Sequence, residues 1–314
     1  MTQATKCGDL WSIILAGGDG ERLRPLIQRW QGRHKPKQYC TFIGTRSMFQ
    51  HTLDRADRIT APERRVTIIA QSHRGEAWPQ LVNRHPGKII LQPANRDTAA
   101  GVFLALTCVR AQDPAATVVL FPSDHFVHPE DRFLEIVQSA VQAAKQLKPW
   151  LFLLGVCPDR LDLEYGWIRL GSHLGWINGQ RVQAVEAFLE KPDCDLGRAA
   201  MASGALWNTL VMASRVETLW AMGWRCFPDM MPLLEVYGQA IGSSEEEAVL
   251  EAMYEVMPVR NFSTDLLQCS PKQVAVIELS GVLWCDWGKP ERIVDTLRRI
   301  GKSPAFPLGY AASG

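Results

Sequence analysis

The chain has 314 residues, 46% of them hydrophobic, and a formal net charge of +1. This length can bury one large core, and the balanced charge does not favour nucleic acid as a partner. No apolar stretch approaches the roughly 20 residues that span a bilayer, and the first nine residues lack a signal-peptide core. Eight cysteines are scattered without a Cys-x-x-Cys pair. We therefore expect a cytoplasmic protein with reduced thiols, no membrane contact and no zinc site.

Short apolar runs alternate with longer amphipathic segments in the first half of the chain. The apolar runs predict strands over residues 11–16, 66–70, 88–91, 117–121 and 151–156. The segments between them predict helices over residues 47–59, 74–84, 98–111 and 131–147. This alternation predicts an α/β fold with a Rossmann-like, mostly parallel sheet flanked by helices. Ligands are then expected where the carboxyl ends of the strands meet.

The second half of the chain predicts a mixed arrangement. Its strands are predicted over residues 165–170, 182–188, 205–213 and 272–279. Its helices are predicted over residues 215–222, 230–238, 245–256 and 290–300. Because no repeat or linker divides the chain, we expect one domain over residues 1–302, with halves of about 10–150 and 151–302. Residues 303–314 are expected to form a fraying tail.

The first predicted strand ends in a glycine-rich, cationic segment. Residues 13–26 read Ile-Ile-Leu-Ala-Gly-Gly-Asp-Gly-Glu-Arg-Leu-Arg-Pro-Leu, and Lys-Pro-Lys-Gln follows at 35–38. Glycines let backbone N–H groups approach an anion and the cations neutralise it, so the segment predicts a polyphosphate site. A dinucleotide fingerprint would need a glycine where Leu23 stands. A Walker loop would need Gly-Lys-Ser/Thr where Glu21 and Arg22 stand.

The pattern Gly-Gly-x-Gly-x-Arg-Leu-x-Pro-Leu with a later Pro-Lys resembles the signature of the sugar-1-phosphate nucleotidylyltransferases. The resemblance implies a fold of the GT-A type, in which Arg22 and Lys37 are catalytic cations and Arg22 also binds the nucleotide. It further implies nucleotide contacts from the strand end and the loop, at Leu15, Ala16, Gly17, Gly18 and Gly20. Glu21 stands where the family usually has threonine, so a carboxylate lies unexpectedly near the phosphates.

Two separate aspartates match the metal ligands of this family. Phe-Pro-Ser-Asp-His at 121–125 resembles the family's Pro-Ser-Asp-His, and Leu-Trp-Cys-Asp-Trp-Gly at 283–288 resembles Trp-x-Asp-x-Gly. The resemblance implies that Asp124, which is also catalytic, and Asp286 hold Mg²⁺. Carboxylates are ligands that Mg²⁺ prefers. The residues alone also fit a second interpretation, in which Asp286 caps the last helix between two core tryptophans.

The segment Gln-Pro-Ala-Asn-Arg-Asp-Thr-Ala-Ala at 92–100 predicts a helix start with Asp97 or Thr98 as the N-cap. It resembles the family's Glu-Pro-x-x-Arg-x-Thr-Ala element, which is typical of the guanylyltransferases. The resemblance implies that GTP is bound here by Gln92, Pro93, Asn95, Arg96, Thr98 and Ala99. Gln92 replaces the usual glutamate.

Three segments of the second half resemble the sugar-binding motifs of the family. They are Tyr-Gly-Trp-Ile at 165–168, Phe-Leu-Glu-Lys-Pro at 188–192 and Leu-Trp-Asn-Thr-Leu at 206–210. The resemblance implies that a hexose 1-phosphate is bound by Tyr165, Gly166, Glu190, Lys191 and Asn208. Leu210 replaces the glycine of the third element, which reshapes the sugar pocket.

The motifs occur in family order from about residue 11 to residue 301. The resemblance is closest to the mannose-1-phosphate guanylyltransferases and implies GTP and mannose 1-phosphate as substrates, with GDP-mannose and pyrophosphate as products. The nucleotide would bind the first half of the domain and the sugar the second. At this length, we expect a member without the isomerase domain that follows in larger bacterial members. Homo-oligomerisation is left open.

Three alternatives remain open from the sequence. The first is a nucleotidylyltransferase for another sugar phosphate or nucleotide. The second is a non-catalytic paralogue that binds GTP or a nucleotide sugar, which Glu21, Gln92 and Leu210 favour. The third is a dinucleotide-dependent oxidoreductase, which the missing third glycine argues against.

Overall fold

The computed structural model describes residues 9–311. The helices and strands of its first half are β1 (Leu10–Ala16), α1 (Arg24–Gln31), α2 (Met48–Asp57), β2 (Arg65–Ala70), α3 (Arg74–Leu81), β3 (Lys88–Gln92), α4 (Asp97–Gln112), β4 (Thr117–Pro122), β5 (Phe126–His128), α5 (Glu130–Gln146) and β6 (Leu151–Val156). Those of its second half are β7 (Gly166–Ile177), β8 (Gln180–Glu190), α6 (Cys194–Ala202), β9 (Leu206–Arg215), α7 (Val216–Cys226), α8 (Met231–Ala240), α9 (Glu246–Val256), β10 (Val274–Glu278), β11 (Leu283–Cys285) and α10 (Pro290–Arg299).

Nine strands form one mixed sheet in the order β3-β2-β1-β4-β9-β6-β10-β8-β7. The strands β1, β2, β3 and β4 run parallel, as do β6 and β10. Strand β9 enters antiparallel between β4 and β6, and β7 and β8 form a long antiparallel hairpin at the far edge. The predicted α/β class is confirmed, with the parallel strands in the first half and a mixed second half.

Helices cover both faces of the sheet. Along β1, Ile13 packs into the core on one face and Ile14 into the core on the other. Helix α4 is buried almost all round because the sheet lies on one side of it and α7 and α8 lie on the other. Helix α5 is amphipathic and covers the opposite face through Phe133 and Val137. A strand buried on both faces reads as a continuous apolar run, which is why these strands are visible in the sequence.

Several local predictions are wrong. Helix α3 ends at Leu81 rather than at residue 84, because Val82 turns to an extended ψ of 137°. The N-cap position of α4 is Arg96, and neither Asp97 nor Thr98 occupies it. Asp97 has a left-handed φ of 62°, and its carboxylate accepts a hydrogen bond from the Thr98 N–H.

Four short elements are absent from the sequence-based prediction: α1, α6, β5 and β11. The two strands have three residues each, which is too short for a hydrophobic period to appear. They pair with each other as a separate two-stranded sheet beside the carboxyl end of β4. This small sheet brings the segment after β4 next to the segment after β11, and each of these carries a predicted site residue.

The segment after residue 302 packs against the domain up to residue 311, where we expected fraying. The Ala305 N–H donates to the Phe42 carbonyl at 2.8 Å. The Phe306 ring is buried and lies 5.8 Å from the Trp30 ring and 6.3 Å from the Phe42 ring, measured between centroids. Burial of this aromatic side chain opposes fraying of the described part of the tail.

Two further observations concern the chain as a whole. No helix within residues 9–311 is both long and apolar enough to cross a lipid bilayer. The seven cysteines of the same range are free thiols, and Cys7 lies outside the described residues.

The packing of α7 on α4 predicts a large effect of a single methyl group. A Cβ at Gly223 would lie against the Phe103 ring and 2.8 Å from the Met231 sulfur. We expect Gly223→Ala to lower the free energy of unfolding by about 1–3 kcal/mol, because the core there is already full. Urea unfolding measures this. Gly75→Ala is the control, since a Cβ there meets nothing within 4 Å, and equal stability of the two variants would contradict the packing.

Candidate active site

The glycine-rich loop after β1 is held by the side chains of Gln38 and Tyr39. The Gln38 amide donates to the Ala16 carbonyl at 3.1 Å and to the Gly18 carbonyl at 2.8 Å. The Tyr39 hydroxyl donates to the same Ala16 carbonyl at 3.0 Å. These bonds fix the course of the loop at the carboxyl edge of the sheet. Tyr39 has no motif that would have singled it out for this role.

Lys37 joins the loop to both predicted metal ligands. Its side chain is buried, and its ammonium lies 2.9 Å from the Asp124 carboxylate. The same ammonium donates to the backbone carbonyl of Asp286 at 2.5 Å. On the loop side, Gly20 has a φ of 65°, and a Cβ there would lie 2.9 Å from the backbone nitrogen of Lys37. The sequence-predicted residues Gly20, Lys37, Asp124 and Asp286 therefore meet in one place.

The small sheet of β5 and β11 brings the two aspartates together. Asp124 follows β4 and precedes Phe126, the first residue of β5. The strands pair antiparallel, with Cys285 opposite Phe126. Asp286, one residue beyond Cys285, therefore lies opposite the segment that carries Asp124.

The two oxygens of the Asp286 carboxylate have different surroundings. Oδ1 accepts hydrogen bonds from the Tyr165 hydroxyl at 2.7 Å, from the Gly288 N–H at 3.0 Å and from Arg292 at 2.8 Å. Oδ2 accepts one from Arg22 at 3.0 Å. Tyr165, expected on the sugar phosphate, thus orients this aspartate. Arg292 lies on α10 and carries no motif, so sequence reasoning missed it.

Both aspartates are held in the ionised form. Burial alone raises the pKa of each carboxyl, but the cations beside them outweigh burial, and the pKa of each is below its usual value. Lys37 is the largest of these opposing influences in both cases. His125 adds to it at Asp124, and Arg292 adds to it at Asp286. Ionised carboxylates are the form that binds a divalent cation.

The donor set fits a divalent cation that arrives with a phosphate ligand. Within residues 9–311, no three His, Cys, Asp or Glu side chains are grouped as a metal site. Mg²⁺ is commonly bound by one or two carboxylates, with substrate phosphates and water completing its shell. Asp124 and Asp286 supply such a pair, provided that Arg22 leaves Oδ2 of Asp286.

A cavity of about 170 Å³ lies between the glycine loop and the start of α4. Six sequence-predicted nucleotide-binding residues line it together with Ile68, Asp97 and Gly101: Leu15, Gly17, Gly18, Gln92, Asn95 and Thr98. Gln92 is nearly buried, and a Cβ on Gly17 would come within 3.2 Å of its amide oxygen. The Gln92 amide therefore forms one polar wall of this cavity.

Six other predicted nucleotide residues do not line this cavity: Gly20 and Arg22, whose contacts are given above, and Arg96, Ala99, Pro93 and Ala16. The Arg96 guanidinium donates to the backbone carbonyl of Tyr254 at 2.8 Å and fastens the start of α4 to the end of α9. Ala99 is fully buried, and its N–H donates to the Arg260 carbonyl at 3.1 Å. Pro93 faces a different cavity, beside α9. Ala16 is buried and contributes its carbonyl to the loop contacts.

Two of the predicted sugar-side residues, Gly166 and Glu190, lie opposite each other on β7 and β8. A Cβ on Gly166 would lie 2.9 Å from a carboxylate oxygen of Glu190, so a side chain there would displace that carboxylate. Burial raises the pKa of Glu190, Lys191 opposes this, and the charge of Asp97 adds to the rise. Glu190 therefore lies within electrostatic reach of the cavity that Asp97 lines.

Asn208 shapes the turn that carries Leu210. Its side-chain oxygen accepts a hydrogen bond from the Leu210 N–H at 3.1 Å. Leu210 has a left-handed φ of 56°, a conformation that favours glycine. The leucine at the position of the family's glycine therefore keeps the backbone conformation while adding a side chain that packs against the core.

The unexpected Glu21 is neutralised locally. Its carboxylate lies 2.5 Å from the Arg24 guanidinium, three residues further along. Both side chains are about half exposed. The carboxylate therefore has its own cation on the surface of the loop, which accounts for an acid in a segment predicted to bind phosphate.

Comparisons with known proteins identify the family of the chain. The family model described as "Nucleotidyl transferase" matches residues 11–303. The chain is 33% identical over 213 residues to the xanthan biosynthesis protein XanB of Xanthomonas campestris pv. campestris strain B100, which covers 66% of this chain and 43% of that protein. It is 32% identical over 205 residues to the mannose-1-phosphate guanylyltransferase of Escherichia coli K12, which covers 64% and 41%. The chain thus spans less than half the length of these relatives.

Solved structures give the same picture of the fold. A Thermus thermophilus protein described as a mannose-1-phosphate geranyltransferase aligns with a TM-score of 0.76 and 25% identity, over 93% of this chain and 79% of that one. A Helicobacter pylori protein described as a mannose-6-phosphate isomerase aligns with a TM-score of 0.70 over 88% of this chain and 99% of that one. The second, at 17% identity, shows the fold alone.

The buried guanidinium of Arg292 predicts a stability effect. It lies 2.6 Å from Asp162, 2.8 Å from Asp286 and 2.9 Å from Glu164. We expect Arg292→Met to lower the free energy of unfolding by about 3–5 kcal/mol, because it leaves buried carboxylates without this cation.

Arg298→Met is the matched control for this variant. Arg298 lies on the same helix, but its side chain is 73% exposed and its ion pair with Asp295 lies at the surface. We expect it to change stability by less than about 1 kcal/mol. Chemical denaturation of both variants measures the difference, and similar midpoints would contradict the role of Arg292.

Proposed function

Because the chain belongs to the nucleotidyl transferase family, we propose that it transfers a guanylyl group from GTP to mannose 1-phosphate, giving GDP-mannose and pyrophosphate. The observation that carries the proposal is the meeting of Lys37, Asp124 and Asp286 beside the glycine loop. The choice of GTP and mannose 1-phosphate is supported by relatives named mannose-1-phosphate guanylyltransferase. A cytoplasmic location belongs to the same proposal, because both substrates are multiply charged and do not cross a bilayer unaided.

The reaction needs alignment and charge neutralisation more than acid–base chemistry. A phosphate oxygen of the sugar phosphate attacks the α-phosphorus of GTP, and the bond from that phosphorus to the β-phosphate breaks. The attacking oxygen is already ionised near neutral pH, so no general base is required. Positioning and electrostatic stabilisation supply the rate enhancement in phosphoryl-type transfers.

Each part of the site has a role in this reaction. The cavity between the loop and α4 takes the guanine base, with Gln92 and Asn95 at its polar walls. The loop N–H groups, Arg22 and Lys37 bind the triphosphate and stabilise the departing pyrophosphate. Mg²⁺ held by Asp124 and Asp286 would supply further neutralisation of the triphosphate charge. Glu190 and Lys191 bind the sugar hydroxyls and the sugar phosphate.

Removal of the Asp124 charge tests the assignment of the catalytic centre. We expect Asp124→Asn to abolish turnover, a loss of at least about 10²–10³ in rate, because the neutral amide is a weaker ligand for a divalent cation and no longer balances the charge of Lys37. Pyrophosphate release measures the rate, and circular dichroism checks the fold.

Asp131→Asn is the matched control for this charge. Asp131 lies nearby in sequence on α5, but it is 82% exposed and pairs with Arg58 at the surface. We expect it to retain the wild-type rate. A folded Asp124→Asn enzyme that turns over as fast as the control would contradict the assignment.

A substrate panel tests the specificity. Pyrophosphate release is followed with GTP, ATP, UTP and dTTP, each with mannose 1-phosphate and with glucose 1-phosphate. We expect the highest kcat/KM for GTP with mannose 1-phosphate. A higher value for another pair would replace the proposed substrates, and GTP binding without release in any combination would indicate a non-catalytic binding protein.

A further inference from the structure

Arg22 has partners that a phosphate-binding residue does not need. One guanidinium nitrogen lies 3.1 Å from the Glu164 carboxylate, and the other lies 3.0 Å from Oδ2 of Asp286. The side chain is half exposed and reaches from the glycine loop to the start of β7. The guanidinium therefore lies on two carboxylates, those of Glu164 and Asp286, which form the wall opposite the glycine loop.

Asp286 does not depend on Arg22 for its charge compensation. Its Oδ1 accepts hydrogen bonds from Tyr165, Gly288 and Arg292, and none of these involves Arg22. Within the described residues, Arg22 is the one hydrogen-bond donor to Oδ2. Loss of that contact opens one oxygen toward the loop and leaves the buried carboxylate paired.

Glu164 is likewise paired with more than one cation. Lys289 lies 3.0 Å from its Oε1, and Arg292 lies 2.9 Å from its Oε2. The Glu164 side chain is 36% exposed, so its pair with Arg22 is a surface pair of modest strength. A triphosphate offers Arg22 several charged oxygens in bidentate geometry, which is a stronger partner.

We propose that Glu164 is a positioning residue that holds Arg22 on the opposite wall, and that GTP binding moves this guanidinium from Glu164 and Asp286 to the triphosphate. The inference rests on the proposed function, because it takes GTP as the ligand. The exchange explains how Arg22 can bind the phosphates and Asp286 a metal ion, although the two side chains form an ion pair with each other. Glu164 then competes with GTP for Arg22.

The test is a double-mutant cycle on nucleotide affinity. The dissociation constant of GTP is measured by calorimetric titration with Mg²⁺ and without sugar phosphate, so no turnover is needed. We expect Glu164→Gln to bind GTP about two- to fivefold more tightly than the wild type, because a surface ion pair no longer opposes binding. In an Arg22→Ala background, Glu164→Gln should give no such gain.

Glu21→Gln controls for the general effect of removing a negative charge near a polyanion. Glu21 is adjacent to Arg22 in sequence, but it pairs with Arg24. The proposal requires a larger gain from Glu164→Gln than from Glu21→Gln, and thermal unfolding confirms that each variant is folded. Glu164→Asp, which keeps the charge but shortens its reach, should also tighten binding and covers the case in which Glu164→Gln does not fold.

The outcomes separate the inference from the proposed function. Equal gains from Glu164→Gln and Glu21→Gln, or a gain that persists in the Arg22→Ala background, would overturn the role of Glu164 alone. A wild-type chain that binds no GTP would overturn the proposed function and the inference together.

Discussion

The buried ammonium of Lys37 lies between the Asp124 carboxylate and the Asp286 carbonyl, and the rest of the site depends on this contact. A buried cation is costly unless anions or carbonyls surround it, so the chain must bring partners to it. Lys37 thereby ties together the glycine loop, the end of β4 and the end of β11. It also lowers the pKa of both aspartates and keeps them ionised.

The fold supplies these partners from distant parts of the chain. The parallel strands place the loop after β1 and Asp124 after β4 at one edge of the sheet. The small sheet of β5 and β11 adds Asp286, and α10 adds Arg292 behind it. Asp97 lines the cavity beside the glycine loop, and its charge adds to the rise in the pKa of Glu190 that burial causes. One mixed sheet with a short second sheet is thus sufficient to assemble the centre.

Local signals made part of this predictable from the sequence. Glycine spacing and clustered cations predicted a phosphate loop, and aspartates after apolar runs predicted Asp124 and Asp286 as metal ligands. These signals can be read because each lies within a few residues. The pairing of β5 with β11 was not predictable, since three residues carry no period and the partners are far apart in sequence. The same holds for Arg292 with Asp162 and for Arg96 with Tyr254, whose contacts exist only in the folded chain. The left-handed φ of Leu210 was indicated only by the glycine that the family has at this position.

A structure of the chain with GTP and Mg²⁺ tests most directly whether Lys37, Asp124 and Asp286 form one catalytic centre. We predict a single ion at about 2.0–2.1 Å from oxygens of both aspartates and of the triphosphate. We also predict the Lys37 ammonium beside them. An ion bound away from either aspartate, or triphosphate density on the far side of the loop, would contradict a shared centre.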